Sequence, residues 1–266
     1  MNRRLTTALT IVTAALLMSG CSTTASVPGK PIASNGTTPV LSGVLTIFAA
    51  ASLTASFDKL AAAFSADNPV LELGPIVYDG SSTLATQLKE GATADVFASA
   101  DKRTMAEVAD VGLLAGPSST FASNILEIAV QPGNPHGIHS LTDLAQGGLL
   151  VVLCAPQVPC GAAAHTLLSL AGASVTPVSE EQNVTAVLTK VRLGEADAGL
   201  VYSTDVTAAA GAVDGIAVSG AERAVNDYEI GIPTDAPNPT AAKAFVRWVL
   251  SAKGQAILAG FGFGRP

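Results

Sequence analysis

The stretch "PIVYDGSSTLATQLKE", residues 75–90, carries a strand, a turn and a helix in immediate succession. An apolar run ends at Tyr78, and Asp79 and Gly80 turn the chain. Leu84 and Leu88 then recur at the helical spacing with polar residues between them. Gly74 and Pro75 mark the strand as irregular or as a sheet edge. The same unit appears elsewhere. "VLTIFAA" (44–50) precedes the helical pattern "LTASFDKLAAAFSA", "DVFAS" (95–99) precedes "DKRTMAEVADVGLL", and "LLVVLC" (149–154) precedes "GAAAHTLLSLAG". "NILEIAVQ", "AGLVY", "GIAVS" and "DYEIGIP" read as further strands, and "SLTDLAQ" as a short helix. A helix is expected from "EEQNVTAVLTKVRLG", and two more, "PTAAKAFVRWVLS" and "AKGQAILAGFG", close the chain. This alternation predicts an α/β fold of mostly parallel sheets flanked by helices.

The chain has 266 residues, 48% hydrophobic and 13% charged, enough for one large domain or two lobes. A loop-rich break at "PGNPHGIHS" (132–140) and the pair of closing helices favour two lobes, the last helices returning to the first.

The first residues read as a targeting segment. "MNRR" is a positive start, and "LTTALTIVTAALLM" is an apolar run too short for a stop-transfer helix. It ends at "MSGC", which resembles the bacterial lipobox, with Met18 where leucine is commonest. Residues 1–20 are therefore expected to be a lipoprotein signal peptide and Cys21 its lipidation site, ordinary secretion being the alternative. Residues 21–43, rich in Ser, Thr, Gly and Pro, read as a flexible tether. Two acyl chains would hold the body at the outer face of the cytoplasmic membrane.

Loss of Arg3 and Arg4 with the signal takes the formal charge from −7 to −9. So acidic a body, without a basic run, argues against nucleic acid or an anionic membrane surface as partner. Two cysteines remain, Cys154 and Cys160 in "CAPQVPC". Outside the cytoplasm such a pair predicts a disulfide, and it is too few ligands for structural zinc.

Several strands are followed by small or polar residues that open a helix or end the strand with a hydroxyl: "ASLTASF", "DGSSTLAT", "APQVPCGAAAH", "EEQNVTAVL" and "STDV". Helix N-termini present unpaired N–H groups and partial positive charge. Several converging outside the carboxyl ends of strands make an anion site without lysine or arginine. "YDGSST" alone leaves three readings open: a helix cap, a nucleophile, or one wall of such a site.

"FAAASLT", "GSSTLATQL", "GATADVFASAD", "VPCGAAA", "SEEQNVTAVLTKVRLGEADAGLVYSTD" and the closing "GFG" together resemble the molybdate-binding proteins of bacterial ABC importers, over residues 44–266. The resemblance implies a type II periplasmic binding protein fold, with two α/β lobes and a ligand cleft between them. It places lobe I at 44–123 plus 229–266 and lobe II at 124–228. It implies that molybdate, and tungstate with it, is held by Ser52 and Ser81 through hydroxyl and backbone N–H. Cys160 and Val184 would contribute backbone N–H, and Tyr202 its phenol. It further implies delivery to an ABC permease, no catalysis, no cofactor beyond the ligand, no cation site and a monomer. Asp79, two residues before Ser81, is the one carboxylate whose direction would matter, since a carboxylate beside a bound dianion is unfavourable.

Two rivals remain. A serine hydrolase would need a base and an acid beside its serine, yet no G-x-S-x-G elbow occurs. The three histidines are His136, His139 and His165, the first two a weak candidate metal pair. A same-fold binder of another oxyanion, such as sulfate, is the closer rival.

Overall fold

The computed structural model describes residues 40–266. The expected signal segment, the lipidation site Cys21 and all of the tether before residue 40 lie outside the described residues. Strands β1 (Gly43–Leu45) and β2 (Ile47–Ala50) lead through a 3-10 turn, Ala51–Leu53, into α1 (Thr54–Asp67). There follow β3 (Leu71–Leu73), β4 (Val77–Asp79), α2 (Ser81–Lys89), β5 (Val96–Ser99), α3 (Lys102–Ala109), β6 (Ser119–Asn124) and β7 (Leu126–Val130). After a 3-10 turn at Asp143–Ala145 come β8 (Val151–Cys154), α4 (Pro159–Leu170), β9 (Ser179–Glu181), α5 (Val184–Leu193) and β10 (Ala198–Tyr202). The chain ends with α6 (Ser203–Ala208), β11 (Asp214–Ala217), β12 (Asn226–Gly231), α7 (Pro239–Val249) and α8 (Ala252–Gly260).

Two five-stranded sheets result, in the orders β4-β2-β5-β12-β6 and β11-β7-β10-β8-β9, with β1 and β3 as a small pair. Both large sheets are mixed. The expected parallel pairing holds for β4-β2-β5 and for β10-β8-β9, while β12, β6, β7 and β11 pair antiparallel. The antiparallel strands are what the alternation pattern hides, because β6 runs almost directly into β7 and no helix intervenes. β6, β9 and α6 were not read from the sequence. Glu180 and Glu181, expected to open a helix, instead belong to edge strand β9, and the helix starts at Val184. Residues 226–228, grouped with the second lobe by resemblance, begin β12 in the first sheet.

The parallel strands are apolar on both faces because helices cover both. Ile47, Ala49, Val96 and Ala98 point into the main core, while Phe48 and Phe97, one residue out of phase, pack under α2 and α3 with Leu84, Leu88 and Met105. Each fully buried phenylalanine contributes roughly 1.5–3 kcal/mol. The closing helices pack on α1 through edge-to-face rings: Phe57 and Phe64 on Phe245, and Phe64 on Trp248. Both sheets start their parallel strands alike. Asp95 Oδ2 accepts from the Thr46 N–H (2.7 Å), and Asp197 Oδ2 from the Leu150 N–H (2.7 Å).

The parallel register brings strand ends together. Ala50 lies opposite Asp79 and Cys154 opposite Glu181, so the turns after β2, β4 and β5 leave one sheet edge together, as do those after β8, β9 and β10.

Candidate functional site

Those six turns enclose one cavity, lined by Ala50 to Ser52, Gly80, Ser81 and Ala100 from the first sheet and by Val158 to Cys160, Gln182 to Val184 and Tyr202 from the second. All five residues named from the sequence line it. Its volume is about 20 Å³, room for one or two waters. That suits a compact ion. No lining residue carries a formal charge.

Ser81 is the first residue of α2 and 1% exposed. It is not the helix cap. Gly80 holds that position and offers no side chain, so no side-chain acceptor takes the first N–H groups of α2. The Ser81 hydroxyl instead accepts from the buried Ala100 N–H (2.9 Å), which leaves its own proton free to point into the cavity. Ser52, in the turn after β2, caps nothing either, and its Oγ lies 2.8 Å from the Tyr228 hydroxyl. The cap reading of "YDGSST" does not hold for Ser81, and in both serines the hydroxyl already has a protein partner on its far side.

Cys160 is the second residue of α4, and Pro159 before it has no N–H, so the Cys160 N–H is the first the helix offers. Cys160 is disulfide-bonded to Cys154 at the end of β8, with a Cα–Cα distance of 5.7 Å. The bridge ties the turn that presents this N–H to the strand before it. Val184 opens α5 behind the N-cap Asn183, whose Oδ1 accepts from the Ala186 N–H (2.9 Å). The cap satisfies that third N–H and leaves Val184's for the cavity. Three helix N-termini, of α2, α4 and α5, thus converge on an uncharged space, each with about half a positive charge.

Tyr202 ends β10 and is 1% exposed, and its hydroxyl has no hydrogen-bond partner among the described residues. A buried hydroxyl left alone costs about 1–3 kcal/mol, so this phenol, which lines the cavity, is a donor available to a group bound there. Burial, with the nearby Tyr228, pushes the phenol well above its ordinary value, which keeps it a neutral donor.

Asp79 is not among the residues that line the cavity. Its Oδ1 accepts from the Gly80 N–H (2.7 Å) and from Asn183 Nδ2 (3.0 Å), linking the end of β4 to the cap of α5. Two more contacts cross the cleft: Gln157 O accepts from Ser82 Oγ (2.8 Å) and Arg103 Nη2 (2.6 Å). Gly80 sits so near Gln182 that a Cβ there would lie 2.0 Å from its carbonyl oxygen. These cross-cleft partners were not read from the sequence. A glycine in a cap position followed by serines was the one available signal.

No histidine lines the cavity, so neither serine has a base. His136 Nε2 lies 3.0 Å from Asp197 Oδ1, and among the described residues no group of three or more His, Cys, Asp or Glu could hold a metal ion.

The model of the family "Bacterial extracellular solute-binding protein" matches residues 45–264. The chain belongs to that family. Among solute-binding proteins, the "Molybdate-binding protein ModA" of Mycobacterium tuberculosis is 42% identical over 256 residues, covering 96% of this chain and 95% of that protein. The Azotobacter vinelandii periplasmic molybdate-binding protein shares the fold at a TM-score of 0.71 and 21% identity, covering 84% of this chain and 99% of that one. The sulfate-binding protein SubI of Mycobacterium tuberculosis also has a TM-score of 0.71, at 16% identity, covering 83% of this chain and 86% of its own. The fold is therefore shared by binders of different oxyanions and does not by itself name the ligand.

One buried acid beside this solute site gives a pH prediction. Asp205, in α6, accepts from the Tyr202 N–H (3.0 Å). Burial raises its carboxyl from the ordinary value to about 7, against a smaller opposing effect of that N–H. The folded state then holds a proton that the unfolded chain releases earlier. The stability this contributes is full in acid and is lost as pH rises toward about 7. Asp205→Asn is expected to flatten the fall in Tm between about pH 5 and pH 8. Identical slopes in variant and wild type would show that another group controls it.

Proposed function

We propose that this protein captures molybdate, and tungstate with it because of its near-identical size and charge, outside the cytoplasm and passes it to an ABC permease. The observation that carries this is the lining of the cavity. Three helix N-termini, two serine hydroxyls with their far sides occupied, and a buried unpartnered phenol surround a space for one small ion. Such donors suit a fully deprotonated oxyanion, whereas hydrogen phosphate carries a proton that needs an acceptor. The acidic body does not oppose this, because neutral dipoles supply the attraction locally. The identity of the anion is supported by the 42% identical molybdate-binding relative.

In this reading Ser52 and Ser81 bind through hydroxyl and N–H, Cys160 and Val184 through N–H, and Tyr202 through its phenol. No bond is made or broken, so the protein is a carrier and not an enzyme. The two sheets act as two lobes, closing by a hinge around the dehydrated ion. The crossings between them lie at 125 and within 218–225. Cys21 carries the lipid that holds a monomeric body at the membrane near its permease.

The test is thermal denaturation of residues 40–266 with molybdate, tungstate, sulfate and phosphate. A ligand at a hundred times its Kd stabilises the folded state by about 2.7 kcal/mol. Tm is expected to rise with molybdate and tungstate and to stay unchanged with phosphate and sulfate. A rise with sulfate alone would replace this reading by its closest rival.

A further inference from the structure

We propose that Tyr228, which lies outside the cavity lining, is a positioning and specificity residue that makes Ser52 an obligate hydrogen-bond donor to the bound ion. The inference rests on the oxyanion reading above.

Tyr228 lies in β12 and is 0% exposed, yet carries a phenolic proton that must find an acceptor. Asn124, one neighbour, cannot serve. Its Oδ1 already accepts from the Ile125 N–H (3.0 Å) and from Ser203 Oγ (3.1 Å), and its Nδ2 donates to Thr204 Oγ1 (2.8 Å). Tyr202 meets Tyr228 edge to face at 5.8 Å between ring centroids, and its hydroxyl has no hydrogen-bond partner among the described residues. Ser52 Oγ, at 2.8 Å, is the acceptor left. If Tyr228 donates, Ser52 accepts, and the single proton of Ser52 turns to the cavity that the residue lines.

The same logic holds across the site, where the Ala100 N–H can only donate and so makes Ser81 a donor too. The two serines are thereby locked by different means, one by backbone and one by a side chain 176 residues away. Only the second lock can be removed without altering the backbone. Once it is removed, Ser52 becomes a free rotor that can accept as well as donate. The site would then tolerate a protonated oxyanion.

Tyr228→Phe tests this, because a phenylalanine keeps the edge-to-face contacts with Phe121, Tyr202 and Phe263. Sodium molybdate and sodium phosphate are titrated calorimetrically into wild type, Tyr228→Phe, Ser52→Ala and the double variant. Tyr228→Phe is expected to weaken molybdate about tenfold and to raise phosphate binding relative to molybdate. In the Ser52→Ala background the same change is expected to do nothing further, since Tyr228 acts through Ser52. Equal losses in both backgrounds, or no loss in either, would overturn the proposal. Should the double variant fail to fold, an unchanged molybdate-to-phosphate ratio in Tyr228→Phe overturns it alone. If the wild type binds sulfate and not molybdate, the function proposed above fails while the cycle, run with sulfate, still decides the role of Tyr228. If it binds no oxyanion, both fall.

Discussion

Gly80→Ala is expected to weaken molybdate binding by roughly a hundredfold to ten-thousandfold while leaving the unliganded protein folded and nearly as stable. The added methyl would lie 2.0 Å from the carbonyl oxygen of Gln182 across the cleft. No side chain can yield there, because the obstacle is backbone. Gly80 itself has φ −57° and ψ 135°, which alanine adopts freely, so no local strain is added. The turns after β8 and β9 must then stand about 1 Å or more further from α2, and the hydrogen bonds proposed from Cys160 and Val184 to the ion would lengthen past useful range. Losing two charge-assisted bonds of about 1.5–3 kcal/mol each removes about 3–6 kcal/mol. In the hinge reading proposed above, the ligand-free protein relieves this clash by opening, so Tm without ligand is expected to move little. Calorimetric titration beside a melt of the free protein checks both. Affinity within about threefold of wild type would mean that the cleft does not need this approach to hold its ion.

Ser52→Ala combined with Ser81→Ala is expected to have an effect of similar size, reached differently. Each substitution deletes one donor to the ion, about 1.5–3 kcal/mol where the acceptor is charged. Each also strands a buried partner, the Tyr228 hydroxyl in one case and the Ala100 N–H in the other. The double variant should therefore melt lower even without ligand, by a few degrees, unlike Gly80→Ala. Its affinity for molybdate is expected to fall by roughly a hundredfold to ten-thousandfold. Unchanged affinity would remove both serines from the site.

The α/β alternation was readable because parallel strands between helices are apolar throughout, and their helices keep the 3.6-residue period, as in "VLTIFAA" with α1 and "LLVVLC" with α4. β6, with its "STFASN" of small and polar residues, was not. It is a strand because β12 pairs with it, which no local pattern reports. β9, only Ser179–Glu181, was read as helix for the same reason: two glutamates favour helix locally, and pairing with β8 overrides them. The five candidate residues were named through the family resemblance, and all of them line one cavity. Their meeting in one cavity depends on parallel register, which sets the ends of β2, β4 and β5 level with one another, and those of β8, β9 and β10 likewise.

By itself, then, the sequence determined the alternating elements, the cysteine pair and the small-residue turns that open helices, all properties of residues near one another in the chain. Only the tertiary structure decided that Asp79 turns to Asn183, that Ser81 is held by Ala100 and caps nothing, and that Tyr228 stands behind Ser52. Whether a hydroxyl caps, donates or accepts depends on the partner already occupying its other side. Those partners here lie as far as 176 residues away, brought into reach when β2, β5 and β12 join one sheet and, for Asp79 and Asn183, when the two sheets pack.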